Sequence, residues 1–270
     1  NPQVFVISAA ISSSLSGGTT LTFSGCLSAS DNIFMGHTAG GGTWAAEGIT
    51  QQNVGVGNYV MDAAMDGASN NTAVGHLALS GLTTGDSNIA IGQSALTANT
   101  TASENTAIGN IAGDALVGGG GNTLLGAGTL TTSTSGANNV CIGADAGGGA
   151  GDVDGTVIIG KNAAVGALTT AADGTIAIGF SALNALTTGA KNIAIGYQCL
   201  DAQTDGERNI GIGYGALTAM DSGEDGNIGI GYLAGDSVNN ASSVDNIYIG
   251  DEAGRGGTGA AIGNIAIGAH

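Results

Sequence analysis

The stretch Asn88-Ile89-Ala90-Ile91-Gly92-Gln93-Ser94-Ala95-Leu96 decides the fold, because variants of it return from one end of the chain to the other. Asn192-Ile193-Ala194-Ile195-Gly196 and Asn209-Ile210-Gly211-Ile212-Gly213 are close copies. Fourteen such units close on Gly36, Gly57, Gly75, Gly92, Gly109, Gly126, Gly143, Gly160, Gly179, Gly196, Gly213, Gly231, Gly250 and Gly268. Seven of the 13 intervals are 17 residues, and the rest run from 18 to 21. A fixed period of this length with small insertions marks a solenoid, whose repeats bury their apolar surface against their neighbours.

Within each unit two aliphatic or β-branched residues flank a small one, as in Ile89-Ala90-Ile91 and Thr106-Ala107-Ile108. Alternation of period two with β-branched residues is a strand pattern, and nowhere does a 3.6-residue period run long enough for a helix. Three residues past the glycine an alanine returns (Ala78, Ala95, Ala112, Ala182), often followed by leucine, and then a polar stretch rich in Thr, Gly, Asp and Asn. Each period therefore reads as one coil with two short apolar segments and two turns. The expected fold is all-β, a parallel β-solenoid (β-roll) of about 14 coils with a 17-residue period. At roughly 4.8 Å per coil the rod is about 65 Å long. Residues 32–270 form the repeat domain, and 1–31, which lack the unit, form an N-terminal cap or attachment segment.

Facing is the next expectation. The flanking residues are placed inside as a core ladder (Ile91, Ile108, Ile142, Ile178, Ile195, Ile212, Ile230), each worth roughly 1.5–3 kcal/mol when buried. On that reading Ile195→Asp disrupts the middle of the rod. The small middle residue then faces outward. A face of Ala and Gly either admits a second copy closely, most simply in a threefold fibre, or limits exposed apolar area on a solitary rod. Asparagine opens 12 of the 14 units, with Thr156 and Thr175 in the others. Asn88, Asn105, Asn122, Asn139, Asn192, Asn209 and Asn227 are expected to form a structural ladder at a corner, each bonding turn backbone and its equivalent one coil away.

Composition excludes several functions. Four Lys and Arg stand against 21 Asp and Glu, a net charge of -17, whereas nucleic acid or an anionic membrane calls for clustered cations. Glycine is 52 of 270 residues, with one proline (Pro2) and no three-residue period, so collagen is excluded. At 42 % hydrophobic residues the chain does not have a disordered composition. No apolar run approaches the length of a membrane-spanning helix. The start at Asn1-Pro2 reads as a processed or excised segment, and Cys26, Cys141 and Cys199 are too few for a disulfide scaffold.

Candidate chemistry is sparse. His37, His76 and His270 are scattered, and Cys141 and Cys199 replace small residues of the unit. Acidic pairs recur in the polar stretches: Asp152 and Asp154, Asp201 and Asp205, Glu224 and Asp225, Asp251 and Glu252. Paired carboxylates could serve glycoside hydrolysis or bind structural calcium, yet neither spacing is fixed, and a solubilising surface accounts for them. Strings such as Gly211-Ile212-Gly213-Tyr214-Gly215 mimic nucleotide loops, but no helix pattern follows. Phe180, Tyr197, Tyr214 and Tyr232 follow the closing glycine in four successive units. They are expected to form a column, either stiffening the rod or offering sugars or a partner protein a stacking platform.

The repeated Asn-Ile-Ala-Ile-Gly-x-x-Ala, seen at Asn71 to Leu79, Asn88 to Leu96, Asn105 to Gly113, Asn192 to Leu200 and Asn209 to Leu217, resembles the head repeat of trimeric autotransporter adhesins. With the loops at Leu82 to Gly85 and Leu186 to Gly189 it also resembles the glycine-rich repeats in tail fibres of some marine tailed phages. The adhesin period is typically shorter. The resemblance spans Asn32 to Gly268 and implies a homotrimeric β-roll, extracellular or on a virion surface, that presents or spaces a binding surface. The expectation is thus a non-enzymatic shaft or presenting domain without cofactor, whose partners are its own copies and a cell-surface glycan or protein receptor. Two rivals are a subunit polymerising head to tail, suggested by the chain stopping just after a strand at Ile267-Gly268, and a glycan-cleaving tailspike.

Overall fold

The computed structural model describes residues 32–42, 50–255 and 260–269; the expected cap over 1–31 lies outside the described residues. Fourteen three-residue strands follow one another: β1 (Ile33–Met35), β2 (Val54–Val56), β3 (Thr72–Val74), β4 (Ile89–Ile91), β5 (Thr106–Ile108), β6 (Thr123–Leu125), β7 (Val140–Ile142), β8 (Val157–Ile159), β9 (Ile176–Ile178), β10 (Ile193–Ile195), β11 (Ile210–Ile212), β12 (Ile228–Ile230), β13 (Ile247–Ile249) and β14 (Ile265–Ile267). They form one parallel sheet in chain order. Equivalent residues pair without slip, as Ile193 with Ile210, Ala194 with Gly211 and Ile195 with Ile212. This is the β-solenoid that the 17-residue period predicts. Longer coils take their extra residues in the turns, and the coil after Gly160 accommodates a 3-10 turn at Thr170–Ala172.

Only one side of the coil is β. Among the described residues the second apolar segment is a chain of tight turns. Its leucines have left-handed backbone (Leu79 φ 51°, Leu96 51°, Leu183 50°, Leu200 52°, Leu217 55°), which a strand forbids. Their amides still bond across coils, Leu79 N–H to the Ala95 carbonyl at 3.0 Å and Leu96 N–H to that of Ala112 at 3.0 Å. Each leucine is wholly buried, and that burial offsets a strain of about 1–2 kcal/mol.

The sheet faces the opposite way from the expected one. The middle residue of each described strand points inward, and Ala90, Ala107, Leu124, Cys141, Ile158, Ala177 and Ala194 are wholly buried. The expected core ladder lies on the outer surface: Ile91 is 38 % exposed, Ile108 and Ile195 36 %, and Ile142, Ile178, Ile212 and Ile230 are intermediate. A two-residue period separates two faces but does not say which is inside. The coil width decides it. At Gly229 a Cβ would stand 2.6 Å from Leu217 Cγ, and at Gly211 2.4 Å from Cys199 Sγ, so the strand and the turns opposite leave room for little beyond a methyl group. Where the strand brings a large residue inward, glycine opens space across the core. A Cβ on Gly113 would lie 2.7 Å from Leu124 Cδ1, and one on Gly254 2.0 Å from Tyr248 Cδ1.

Candidate interaction surface

The corner asparagines form a hydrogen-bonded ladder. Asn88 donates from its backbone N–H to Asn71 Oδ1 (2.9 Å) and from Nδ2 to the same oxygen (3.0 Å) and to the Ala102 carbonyl (2.8 Å). Asn105 N–H then donates to Asn88 Oδ1 at 3.0 Å. One side chain thus ties three coils, and Asn122, Asn139, Asn209 and Asn227 repeat the bond to the previous rung at 2.8–3.0 Å. Asn192 accepts from Asn209 and donates to the Gly206 carbonyl at 2.7 Å. Thr156 keeps the link to Asn139 through its N–H and hydroxyl. The buried Thr175 hydroxyl has no partner, so the ladder runs in two stretches, Asn32 to Thr156 and Asn192 to Asn264. With donors and acceptors engaged inside the wall, these asparagines are cohesive elements.

Four of the eight acidic candidates serve the backbone too. Asp152 accepts the amides of Ser135 (2.8 Å) and Thr134 (2.7 Å), which hold its carboxyl down at about 2. Asp154 accepts from Ala137 N–H, Asp205 from Gly223 N–H, Asp225 from Glu207 N–H, and Asp201 from the Thr218 hydroxyl. Glu252 pairs with Arg255. Among the described residues no three His, Cys, Asp or Glu side chains group as metal ligands would. Cys141 and Cys199 face inward, and burial pushes both thiols up to about 12.

Glu224, read from the sequence as half of a solvent-facing acidic pair, points inward instead. It stands three residues before a ladder asparagine, the place of Ala102, Gly119, Gly136, Gly189 and Gly206 in other coils, all buried. That inward position was visible in the repeat alignment. Glu224 is wholly buried and neither carboxyl oxygen has a hydrogen-bond partner. Gln203, one coil earlier, is equally buried and unpartnered. Burial, and then the charge of Asp221, raise the Glu224 carboxyl above its ordinary 4.5. Because the folded value is the higher one, the unfolded chain releases its proton first, and stability falls as pH rises above that ordinary value. Glu224→Gln should flatten this fall, raising the unfolding midpoint at pH 8 by about 2–4 °C for each kcal/mol recovered. Melting curves of the two proteins between pH 4 and 9 check it; parallel pH profiles would refute it.

The outer sheet face carries the remaining features. Its columns are the first and third residues of every strand, and the only polar side chains among them are Thr72, Thr106 and Thr123. Beside it, Phe180, Tyr197, Tyr214 and Tyr232 stack with ring centroids 5.3, 5.0 and 5.4 Å apart and planes within 22°. Neighbouring rings cover each other's faces and leave rims outward, which suits a stiffening column better than a platform whose flat faces receive sugars. His37, Tyr59 and His76 meet edge to face at the other end, at 5.4 and 5.9 Å. Among the described residues no helix is long and apolar enough to cross a membrane.

Fold and surface together define a β-solenoid repeat protein with one sheet, an asparagine-laddered corner and an apolar outer face. No family model, no curated protein and no solved structure matches the chain.

Proposed function

We propose that this chain is a non-enzymatic structural rod, the shaft or presenting domain of an extracellular fibre, whose copies associate through the outer sheet face. The resemblance to adhesin heads and phage tail fibres favours three copies per assembly. The observation that carries the reading is an outer face of fourteen rungs whose only polar side chains are three threonines, without one charged residue in a chain of net charge -17. Ile89, Ile91, Ile108, Leu125 and Ile195 are each exposed by more than a third. Summed along the rod, such side chains present on the order of 1,500 Å² of apolar surface, well above the roughly 300–600 Å² of the largest patch on a typical monomer. A stable interface needs about 800 Å² from each partner. The partner's isoleucines thus take the place that the sequence reading gave to an Ala and Gly face.

Mass measurement on the gently purified protein tests this reading. The expected result is a discrete oligomer, with Ile108→Asp/Ile195→Asp converted to monomer while keeping its β-type circular dichroism. A monomeric parent protein, or a double variant that associates as the parent does, would overturn it.

A further inference from the structure

Thr156 and Thr175 replace the corner asparagine in two successive coils, and they differ in what they reach. Thr156 follows an asparagine, whose long amide arm extends toward it: Asn139 Oδ1 accepts the Thr156 N–H at 2.9 Å and its hydroxyl at 2.7 Å. Thr175 follows another threonine. A hydroxyl one carbon from the backbone is too short to span two coils, and the buried Thr175 Oγ1 bonds to neither neighbour. In an intact stretch Asn122 alone supplies three bonds across coils, two to Asn105 Oδ1 and one to the Gly136 carbonyl. Between Thr156 and Asn192 the ladder supplies none. Asp173 Oδ1 accepts the Asp154 N–H at 2.8 Å across the first of these two joints, but the equivalent position of the next coil is Ala190.

The backbone of the same corner is also drawn out. The residue before each ladder position donates its N–H to the corner carbonyl of the preceding coil, at 2.9 Å from Ser87 to Ser69 and 3.0 Å from Glu104 to Asp86. Among the described residues the two longest bonds of this series are Gly174 to Asp154 at 3.2 Å and Lys191 to Asp173 at 3.4 Å. They fall on the two joints that lack the ladder. The same coil also carries the 3-10 turn at Thr170–Ala172.

We propose that the corner at Thr175 is a built-in joint where the rod opens first, leaving residues 32–156 and 192–268 as two wound blocks. Opening between two coils of a stack breaks only the bonds between those two, so the joint with fewest bonds opens most often. The sheet still closes it, through Val157 N–H to the Thr175 carbonyl at 3.0 Å and Ile176 N–H to that of Asn192 at 2.8 Å. Each net hydrogen bond shifts such an equilibrium roughly fivefold, so the absent ladder bonds together set these rungs apart by about tenfold or more. A shaft with one such joint gives way there under heat or pull while both blocks hold. The joint follows from bonding within one chain and does not depend on how copies associate.

Hydrogen exchange resolved along the chain tests it. In the parent protein the Val157 and Ile176 amides should exchange about tenfold faster than those of Ile89 and Thr106. The latter make the same sheet bonds, at 2.8 Å, beside an intact ladder. Ends fray first in a uniform stack, so faster exchange in the middle identifies the joint. Thr156→Asn/Thr175→Asn restores the long arm on both rungs and should remove the difference. Asn105→Thr/Asn122→Thr copies the threonine pair into the other block and should speed exchange at Ile89 and Thr106 about tenfold. If the first variant fails to fold, the second decides alone. Equal protection of both pairs in the parent, or a folded variant of either kind that exchanges as the parent does, would overturn the joint.

Discussion

Gly196→Ala should unfold the middle of the rod. Gly196 has φ of +146°, and a Cβ there would stand 2.1 Å from the Gly213 carbonyl oxygen, inside any real contact distance. The obstacle is backbone of the next coil, which cannot rotate away as a side chain would. Closing glycines repeat this geometry along the rod, with φ between 127° and 150°, and at Gly75, Gly92 and Gly179 the Cβ would stand 2.2–2.4 Å from the next closing glycine's carbonyl. Coils can approach to strand spacing only while that corner has no side chain. One methyl group adds dihedral strain of about 1–3 kcal/mol to the cost of forcing two coils apart. Gly155→Ala is the control: φ is +64° and nothing lies within 4 Å of the new atom, so the expected loss is about 1 kcal/mol. Urea unfolding followed by circular dichroism compares them. Equal midpoints for the two variants would show that close approach at the corner is not what glycine supplies.

The second large effect sets apart two neighbouring residues. Ala194→Asp should abolish folding around β10, whereas Ile195→Asp should leave the isolated rod intact. Ala194 is wholly buried, in a core that at Gly211 and Gly229 has no space for one further carbon. A carboxylate there meets both overpacking, typically 1–3 kcal/mol, and the larger cost of a buried unpaired charge. Ile195 is 36 % exposed and points away from that core. The ranking is the reverse of the one that follows from placing Ile195 in the core. Thermal unfolding of both variants at low protein concentration measures it; greater loss in Ile195→Asp would mean that the sheet faces as the sequence reading had it.

Those two residues mark the boundary of what could be read in advance. The spacing of glycines, the three-residue strands and the asparagine corner were all legible, because each depends on local backbone chemistry repeated without change. The side of the sheet was not. Ile-Ala-Ile satisfies either orientation, and the choice depends on the distance to Leu200 and Leu217 across the coil, which no local pattern records. The turn conformation of Ala95-Leu96 was hidden for a related reason, since leucine rarely accepts left-handed backbone without tertiary burial to hold it. Tyr197 and its neighbours were correctly stacked in the reading, but whether ring faces stay open depends on rung spacing, and the spacing closes them. Glu224 was read as a surface carboxylate because its inward position appears only when coils are aligned from their asparagines backward, across an insertion.

Register without slip along all fourteen strands has a consequence for how such a molecule can change size. Each rung touches only the rungs before and after it, the corner glycine recurs in all fourteen, and neighbouring rungs such as β3, β4 and β5 share the inward alanine as well. Duplicating or deleting one whole period within such a run leaves the remaining joints as they were and alters length by a single step. The gene can therefore act as a ruler, setting reach by counting copies of one short sentence.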